Sequence, residues 1–345
     1  MDIAVGHMGI NHSAEPTLVG IVFSRDRAMQ LDATLRSLFR HCSDASLFDL
    51  HVLYAASTAR FRTQYENLAR EWSHEGGIRF HAEREFRCDF LKLLGLAGNH
   101  RGPFLALRQR VVGRVHRSLN RAPTVQAPWE LLLFLVDDNI FVRSFSLSDA
   151  CMALRDDPLA IGFSLRLGRN TTSCYSLRKS QEPPQFEAAD RATLAFDWTD
   201  AECDFGYPLE VSSSLYTAKA IAGLLTTEDY SNPNTLESAL ARSASRFGGT
   251  RGRPHLLCFP QSVTFCNAVN RVQTTYQNRS GDAPEFAADA LADSFDSGLR
   301  IDISAFDGFL PDACHSNIPV TFAAIADLRG PGPTVSIMQE PEDLT

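Results

Sequence analysis

Apolar residues come along this chain in short blocks, and the longest uninterrupted block governs its reading. Leu131, Leu132, Leu133, Phe134, Leu135 and Val136 run directly into Asp137, Asp138 and Asn139, after which Ile140 and Phe141 are apolar again. A block of that length without alternation predicts a strand buried on both faces, as in the middle of a parallel sheet. Upstream, residues 17–23, 50–56 and 78–81 are shorter β-rich blocks that predict three further strands. Between them, 28–42 and 59–73 carry helical spacing. In the first of these, Met29, Leu31, Leu35, Leu38 and Phe39 share one face while Arg36 and Arg40 lie on the other, and Ser24 or Asp26 is the expected cap. Residues 85–94 predict another helix. Alternation of this kind predicts an α/β protein with a mostly parallel, doubly wound sheet.

After a helix expected over 146–155 the rhythm changes. Strand-like blocks at 160–167, 192–198, 209–216 and 255–259 are mixed with helical stretches at 219–225, 283–297 and from the Asn232-Pro233-Asn234-Thr235 cap to residue 247. The second half is therefore expected to be mixed. Residues 98–128, with Gly-Asn and Gly-Pro pairs around a basic helical piece, read as an insertion or flap. Residues 1–16 read as a flexible leader and 329–345, rich in Pro, Gly and Glu, as a disordered tail. No linker interrupts 17–328, so one domain is expected there, with halves at 17–145 and 146–328.

Composition narrows the function. A hydrophobic content of 44% in 345 residues is enough for one large core, and a net charge of -8 with pI near 5.7 argues against a nucleic-acid partner. Of 33 basic residues only Lys92, Lys179 and Lys219 are lysines. The eight cysteines, at 42, 88, 151, 174, 203, 258, 266 and 314, contain no CxxC pair, so neither a zinc ribbon nor a thioredoxin-like site is indicated. No signal-peptide pattern opens the chain, and no apolar run approaches the roughly 20 residues of a transmembrane segment. The expectation is a cytoplasmic protein, at most peripheral to the inner face of the membrane.

Three predicted loops, 24–27, 57–58 and 137–139, emerge at one edge of the expected sheet. A nucleotide lying across them would meet Arg27 and a helix N-terminus for its phosphates, and carboxylates for ribose hydroxyls and a metal. Adjacent carboxylates repel unless a cation joins them. The plainer alternative is an Asp-Asp-Asn turn closing a buried strand. Neither GxGxxG nor a Walker A loop is present, which disfavours a dehydrogenase or a P-loop enzyme.

A strand ending in Ser24-Arg25-Asp26-Arg27, followed by Met29-Gln30-Leu31 and a helix, with an acidic triplet after a hydrophobic strand about a hundred residues on, resembles the GT-A nucleotide-sugar glycosyltransferases, family 2-like. The resemblance covers roughly 17–240 and departs from a strict DxD at Asn139. It implies a GT-A-like fold with a nucleotide-binding half (17–145) and an acceptor half (146–328). It also implies a metal-dependent, inverting transfer of sugar from a nucleotide-diphosphate donor to a hydroxyl of a glycan or other acceptor. Under it, Val136-Asp137-Asp138 is the matching triplet. Asp138 becomes a ligand of Mn2+ or Mg2+, Asp137 a ribose or metal-water contact, and Ser24, Arg25, Arg27 and Ser57 further donor contacts. A late His315 would be an extra metal ligand, and Glu237, early in a helix, the base. Each has a plainer alternative: Glu237 completing its helix cap, His315 ordinary surface. Asp200 and Asp204 are the other candidates for the base, and Glu210 is an acceptor contact or a strand edge. A sugar nucleotidyltransferase would want a glycine-rich loop where Ser24 to Arg27 has none. A non-catalytic GT-A-like scaffold remains the other reading, with Asn139 as the mark of a lost site.

Overall fold

The computed structural model describes residues 17–45, 48–97, 125–189, 191–248 and 252–328. The expected leader, tail and most of the expected flap lie outside them. In chain order the strands are β1 (Leu18–Arg25), β2 (Asp49–Ala55), β3 (Ile78–Ala82), β4 (Leu131–Val136), β5 (Asn139–Phe141) and β6 (Ala160–Ser164). They continue with β7 (Ser173–Cys174), β8 (Lys179–Ser180), β9 (Glu187–Ala189), β10 (Thr193–Asp197), β11 (Ser213–Thr217) and β12 (His255–Cys258). The last are β13 (Thr264–Asn267), β14 (Leu299–Ile301), β15 (His315–Ser316) and β16 (Phe322–Ala324). Helices are α1 (Ala28–His41), α2 (Ala59–Glu71), α3 (Phe86–Leu93), α4 (Leu147–Asp156), α5 (Ala218–Thr227), α6 (Pro233–Ser243), α7 (Ala288–Asp296) and the short α8 (Ile325–Leu328).

Nine strands form the main sheet in the order β3-β2-β1-β4-β11-β6-β12-β10-β9. The first four are mutually parallel, as the strand-helix alternation predicts. β11 then runs antiparallel to both β4 and β6, and β12 is parallel to β6. The fold is α/β with a mostly parallel centre and a mixed second half.

β4 shows why its sequence is apolar throughout. Leu131, Leu133 and Leu135 point into a core under α1, α2 and α4, while Leu132 and Phe134 point into a second core under α3, α5 and α6. All five are at most 1% exposed. Alternation therefore exists, but both destinations are dry.

This sheet also decides what meets at its edge. β1, β4 and β6 end on the side where antiparallel β11 begins. Residues just after β1 (Arg27), β4 (Asp137, Asp138) and β6 (Arg166), and just before β11 (Glu210), are thus delivered to one place. A three-stranded sheet, β15-β13-β5, stands over that edge. Its register aligns Asn139 with Cys266, and Cys266 with His315.

Differences from the expected elements are local. The strand expected over 209–216 starts only at Ser213, because the Glu210 carboxylate folds back to accept the Ser212 and Ser213 backbone N–H groups. The helix expected over 283–297 is a 3-10 turn at Pro284–Phe286 followed by α7. α1 is capped by neither Ser24 nor Asp26. Its N-cap is Arg27, whose side chain makes no cap bond, while Asp26 accepts from Ser57 N–H at 2.7 Å.

Candidate functional site

The first group of side chains gathers around Asp137, which is 5% exposed. Its Oδ2 accepts from Ser24 Oγ (2.9 Å) and Arg25 N–H (3.1 Å), and Oδ1 from Arg27 Nη1 (3.0 Å). Burial pushes this carboxyl above its usual range, with Arg27 opposing the shift. Ser24 Oγ also lies 2.6 Å from the Tyr65 hydroxyl, which in turn accepts the Arg27 backbone N–H at 3.0 Å. The Ser24 hydroxyl is thus fully engaged within the protein. Arg25 is more open, its side chain 55% exposed and 3.6 Å from Asp26. Ser57 sits at the exposed rim.

Arg27 joins the two acids. Its Nη1 lies 3.4 Å from Asp138 Oδ2 as well as 3.0 Å from Asp137, and Nη2 donates to the Asn270 carbonyl at 2.6 Å. Burial works against the charge, but the two carboxylates outweigh it and hold the guanidinium firmly protonated. Asp138 differs from its neighbour in one respect. Its Oδ1 is buried and has no hydrogen-bond partner in the described structure. Arg27 Nε and Gln30 Oε1 are in the same condition, and Gln30 reaches the same Asn270 through its Nε2 at 3.3 Å. Buried orphan atoms are rare in folded proteins, and of these it is the Asp138 oxygen that could accept a cation. A bare carboxylate oxygen is the donor that Mg2+ or Mn2+ takes when phosphates supply other ligands. Among the described residues, no three His, Cys, Asp or Glu side chains converge to hold a metal unaided.

Asn139 belongs to the turn. It is 0% exposed; Oδ1 accepts Val136 N–H at 2.9 Å, and Nδ2 points at Cys266 Sγ, 3.5 Å away. Both ends of the amide are committed to closing the β4–β5 connection.

A second group lies beyond Cys266. Arg166, with a side chain 6% exposed, has Nη2 at 3.4 Å from Glu210 Oε2 and Nη1 at 3.4 Å from His315 Nε2. Burial opposes its charge, but Glu210 keeps it protonated. His315 therefore accepts through Nε2 and stays neutral; burial and Arg166 together press its pKa down to about 3. Glu237 joins from the first turns of α6. The capping box there is made by Asn232 and Thr235. Glu237 instead accepts Val211 N–H at 3.1 Å and a bond from Tyr207. Its carboxyl is pushed above the usual range by burial and by nearby Glu210, against the pull of Arg166. Cys266 lies between the groups, since Asp138 on one side and Arg166 and Glu210 on the other all act on its buried thiol.

Glu210 is held from behind. The Tyr216 hydroxyl donates to the Glu210 carbonyl at 2.7 Å, and its ring lies so close to β6 that a Cβ on Gly162 would fall 2.6 Å from it. Only glycine fits there.

Of the residues picked out from sequence, Ser24, Arg27, Asp137 and Asp138 are brought into one hydrogen-bonded group. Glu237 and His315 fall in the adjoining one. Arg166, Tyr65, Asn270 and Cys266 were not anticipated. An arginine inside the apolar block 160–167 was the one available signal among them.

Comparison with known proteins adds the following. No protein-family model matches the chain. The bifunctional glycosyltransferase pgtA of Dictyostelium discoideum is 24% identical over 285 residues, an alignment covering 75% of this chain and 32% of that protein. The chain thus spans about a third of the relative it matches. Among solved structures, TarS 1-349 of S. aureus covers 73% of this chain and 61% of its own at 13% identity and a TM-score of 0.39. A mannosyltransferase of Pyrobaculum calidifontis in complex with GDP-Man and Mn2+ covers 46% of this chain and 37% of its own, at 16% identity and a TM-score of 0.28.

Proposed function

We propose that this protein transfers a sugar from a nucleotide-diphosphate donor to an acceptor hydroxyl. The observation that carries the reading is the orphaned Asp138 Oδ1 beside Arg27, with a half-buried carboxylate of raised proton affinity, Glu237, in the adjoining group. The glycosyltransferase relative supports it.

In this reading the donor lies across the ends of β1, β2 and β4. Asp138 Oδ1, with the donor's own phosphates, would hold a divalent cation, Mn2+ or Mg2+, whose charge would offset that of the leaving diphosphate. His315, its Nε2 taken by Arg166, would join only by releasing that contact. Arg27 adds a fixed positive charge at the same point, and Asp137 keeps Arg27 in place. Arg25 and Ser57, at the open rim, face the nucleoside side. Glu237 removes the proton from the acceptor hydroxyl. That oxygen bonds to the anomeric carbon as the bond to the diphosphate breaks, and its electron pair leaves with the phosphate. Attack from the face opposite the leaving group makes the transfer inverting. A carboxyl of raised pKa suits this task, because a stronger base accepts the proton more readily.

A second reading differs only in the cation. Arg27 already bridges both carboxylates, so it could supply the charge alone, with no metal. Thermal unfolding with a panel of nucleoside diphosphates, with Mn2+ or with EDTA, separates the two. The metal-dependent reading expects a rise in midpoint that requires Mn2+ and is lost in Asp138→Ala. A rise indifferent to EDTA favours Arg27 alone. No rise with any nucleotide overturns the function.

A further inference from the structure

Beside the second group, between the β7–β8 hairpin and the chain around β15, lies a cleft of about 490 Å3. Tyr175, Arg178, Arg279, Asp312 and His315 are among its lining residues. Resting on the glycosyltransferase reading, we propose that this cleft receives an anionic group of the acceptor, a phosphate or a carboxylate, held by Arg178 and Arg279.

Arg178 and Arg279 are brought together by the cleft. Arg27, Arg36, Arg60 and Arg166 are among the arginines that pair with carboxylates. Arg178 and Arg279 pair with none among the described residues, although the protein carries a net charge of -8. Within the cleft, two guanidinium groups face a single carboxylate, that of Asp312. Guanidinium groups present their donors in a flat fork that suits carboxylate and phosphate oxygens.

Of the two, Arg279 is held in place by its neighbour. The Arg279 guanidinium lies 3.9 Å from the centre of the Tyr175 ring and donates to the Tyr175 carbonyl at 3.0 Å. Tyr175 stacks in turn with His315, 6.4 Å between centroids. Stacking of this kind fixes an arginine without using up the rest of its fork. Arg178 turns the hairpin with φ of +54, a left-handed backbone that a non-glycine residue adopts only at a cost. The stack ties the cleft to His315, and Arg166 ties His315 to the group containing Glu237. An acceptor anchored by its anion in the cleft is therefore held next to the base.

Calorimetric titration of the full chain with glucose, glucose 6-phosphate and glucuronate at fixed ionic strength tests this. It is run with and without saturating nucleoside diphosphate and Mn2+. At least one anionic sugar should bind about tenfold or more tighter than glucose, the size of one charge-assisted hydrogen bond. Preference between the two anions identifies phosphate or carboxylate as the source. Arg178→Ala/Arg279→Ala should abolish the preference while Arg178→Lys/Arg279→Lys keeps part of it, and Asp138→Ala should leave it intact. Equal binding of all three sugars overturns the proposal. So does displacement of the anion by the nucleotide, which would assign the arginines to the donor. Because Asp138→Ala removes the nucleotide response alone, failure of the donor reading and failure of this one are told apart.

Discussion

Three adjacent residues at the end of β4 have three different duties, and each has its own test. Asp137 is consumed by the protein, Asp138 keeps a free oxygen, and Asn139 ties the turn. If Asn139 were a displaced metal ligand, Asn139→Asp would tighten Mn2+ binding. With both ends of its amide engaged, we expect no gain in a Mn2+ titration. Asn139→Ala should lower stability to unfolding by about 1–3 kcal/mol, because it strands the part-buried Val136 N–H. His315 carries a pH signature. The unfolded chain protonates it near pH 6.5, by the ordinary value for histidine, but the folded one only at about 3. Its contribution is complete above the first value and is lost progressively as acid approaches the second. The melting temperature of the wild type should therefore fall more steeply than that of His315→Asn between pH 6.5 and 4. The acids and Arg27 were legible because each adjoins a recognisable apolar block. Tyr65 was not. It lies inside a helix, and only tertiary packing, with its ring stacked on Tyr54 of β2, brings its hydroxyl to Ser24.

At the level of elements, α6 separates a cap from a catalytic role. Asn232 and Thr235 supply the cap, so Asn232→Ala should destabilise the protein by about 1 kcal/mol with turnover per folded molecule unchanged. Glu237→Gln should do the reverse. Its amide oxygen can still accept Val211 N–H, so the melting midpoint holds, while kcat falls about 10²–10⁴-fold once an acceptor is in hand. Long elements were readable from spacing: β1, β2, β4, α1 and α2 lie within a few residues of expectation. The small sheet was not readable. β5, β13 and β15 are two to four residues long, too short to carry a period, and their pairing joins residues 139, 266 and 315. That sheet nonetheless sets His315 beside Arg166. β11 was half legible: Leu209 and Val211 are buried as strand residues would be, but Glu210 bends the chain between them.

Across the whole molecule, the cysteines report on the described fold. All eight are free; Cys88 is exposed, Cys203 intermediate, and the other six buried. A thiol reagent should titrate two groups quickly in the native protein and all eight after denaturation. More than two fast groups would contradict the packing. No helix among the described residues is long and apolar enough to cross a membrane. The α/β class was legible in the first half, where each crossover is a helix and each strand a dense block. The order of the second half was not, because nothing local tells β11 to insert itself between β4 and β6. That insertion has a consequence during synthesis. β4 leaves the ribosome with one edge matched by β1, but its other edge waits for residues 213–217. Until about eighty more residues are made, the nascent chain presents Leu131 to Leu135 as an open, wholly apolar border, the kind that recruits other strands. Chaperone capture should be strongest on chains arrested in that interval, and should fade once β11 has emerged.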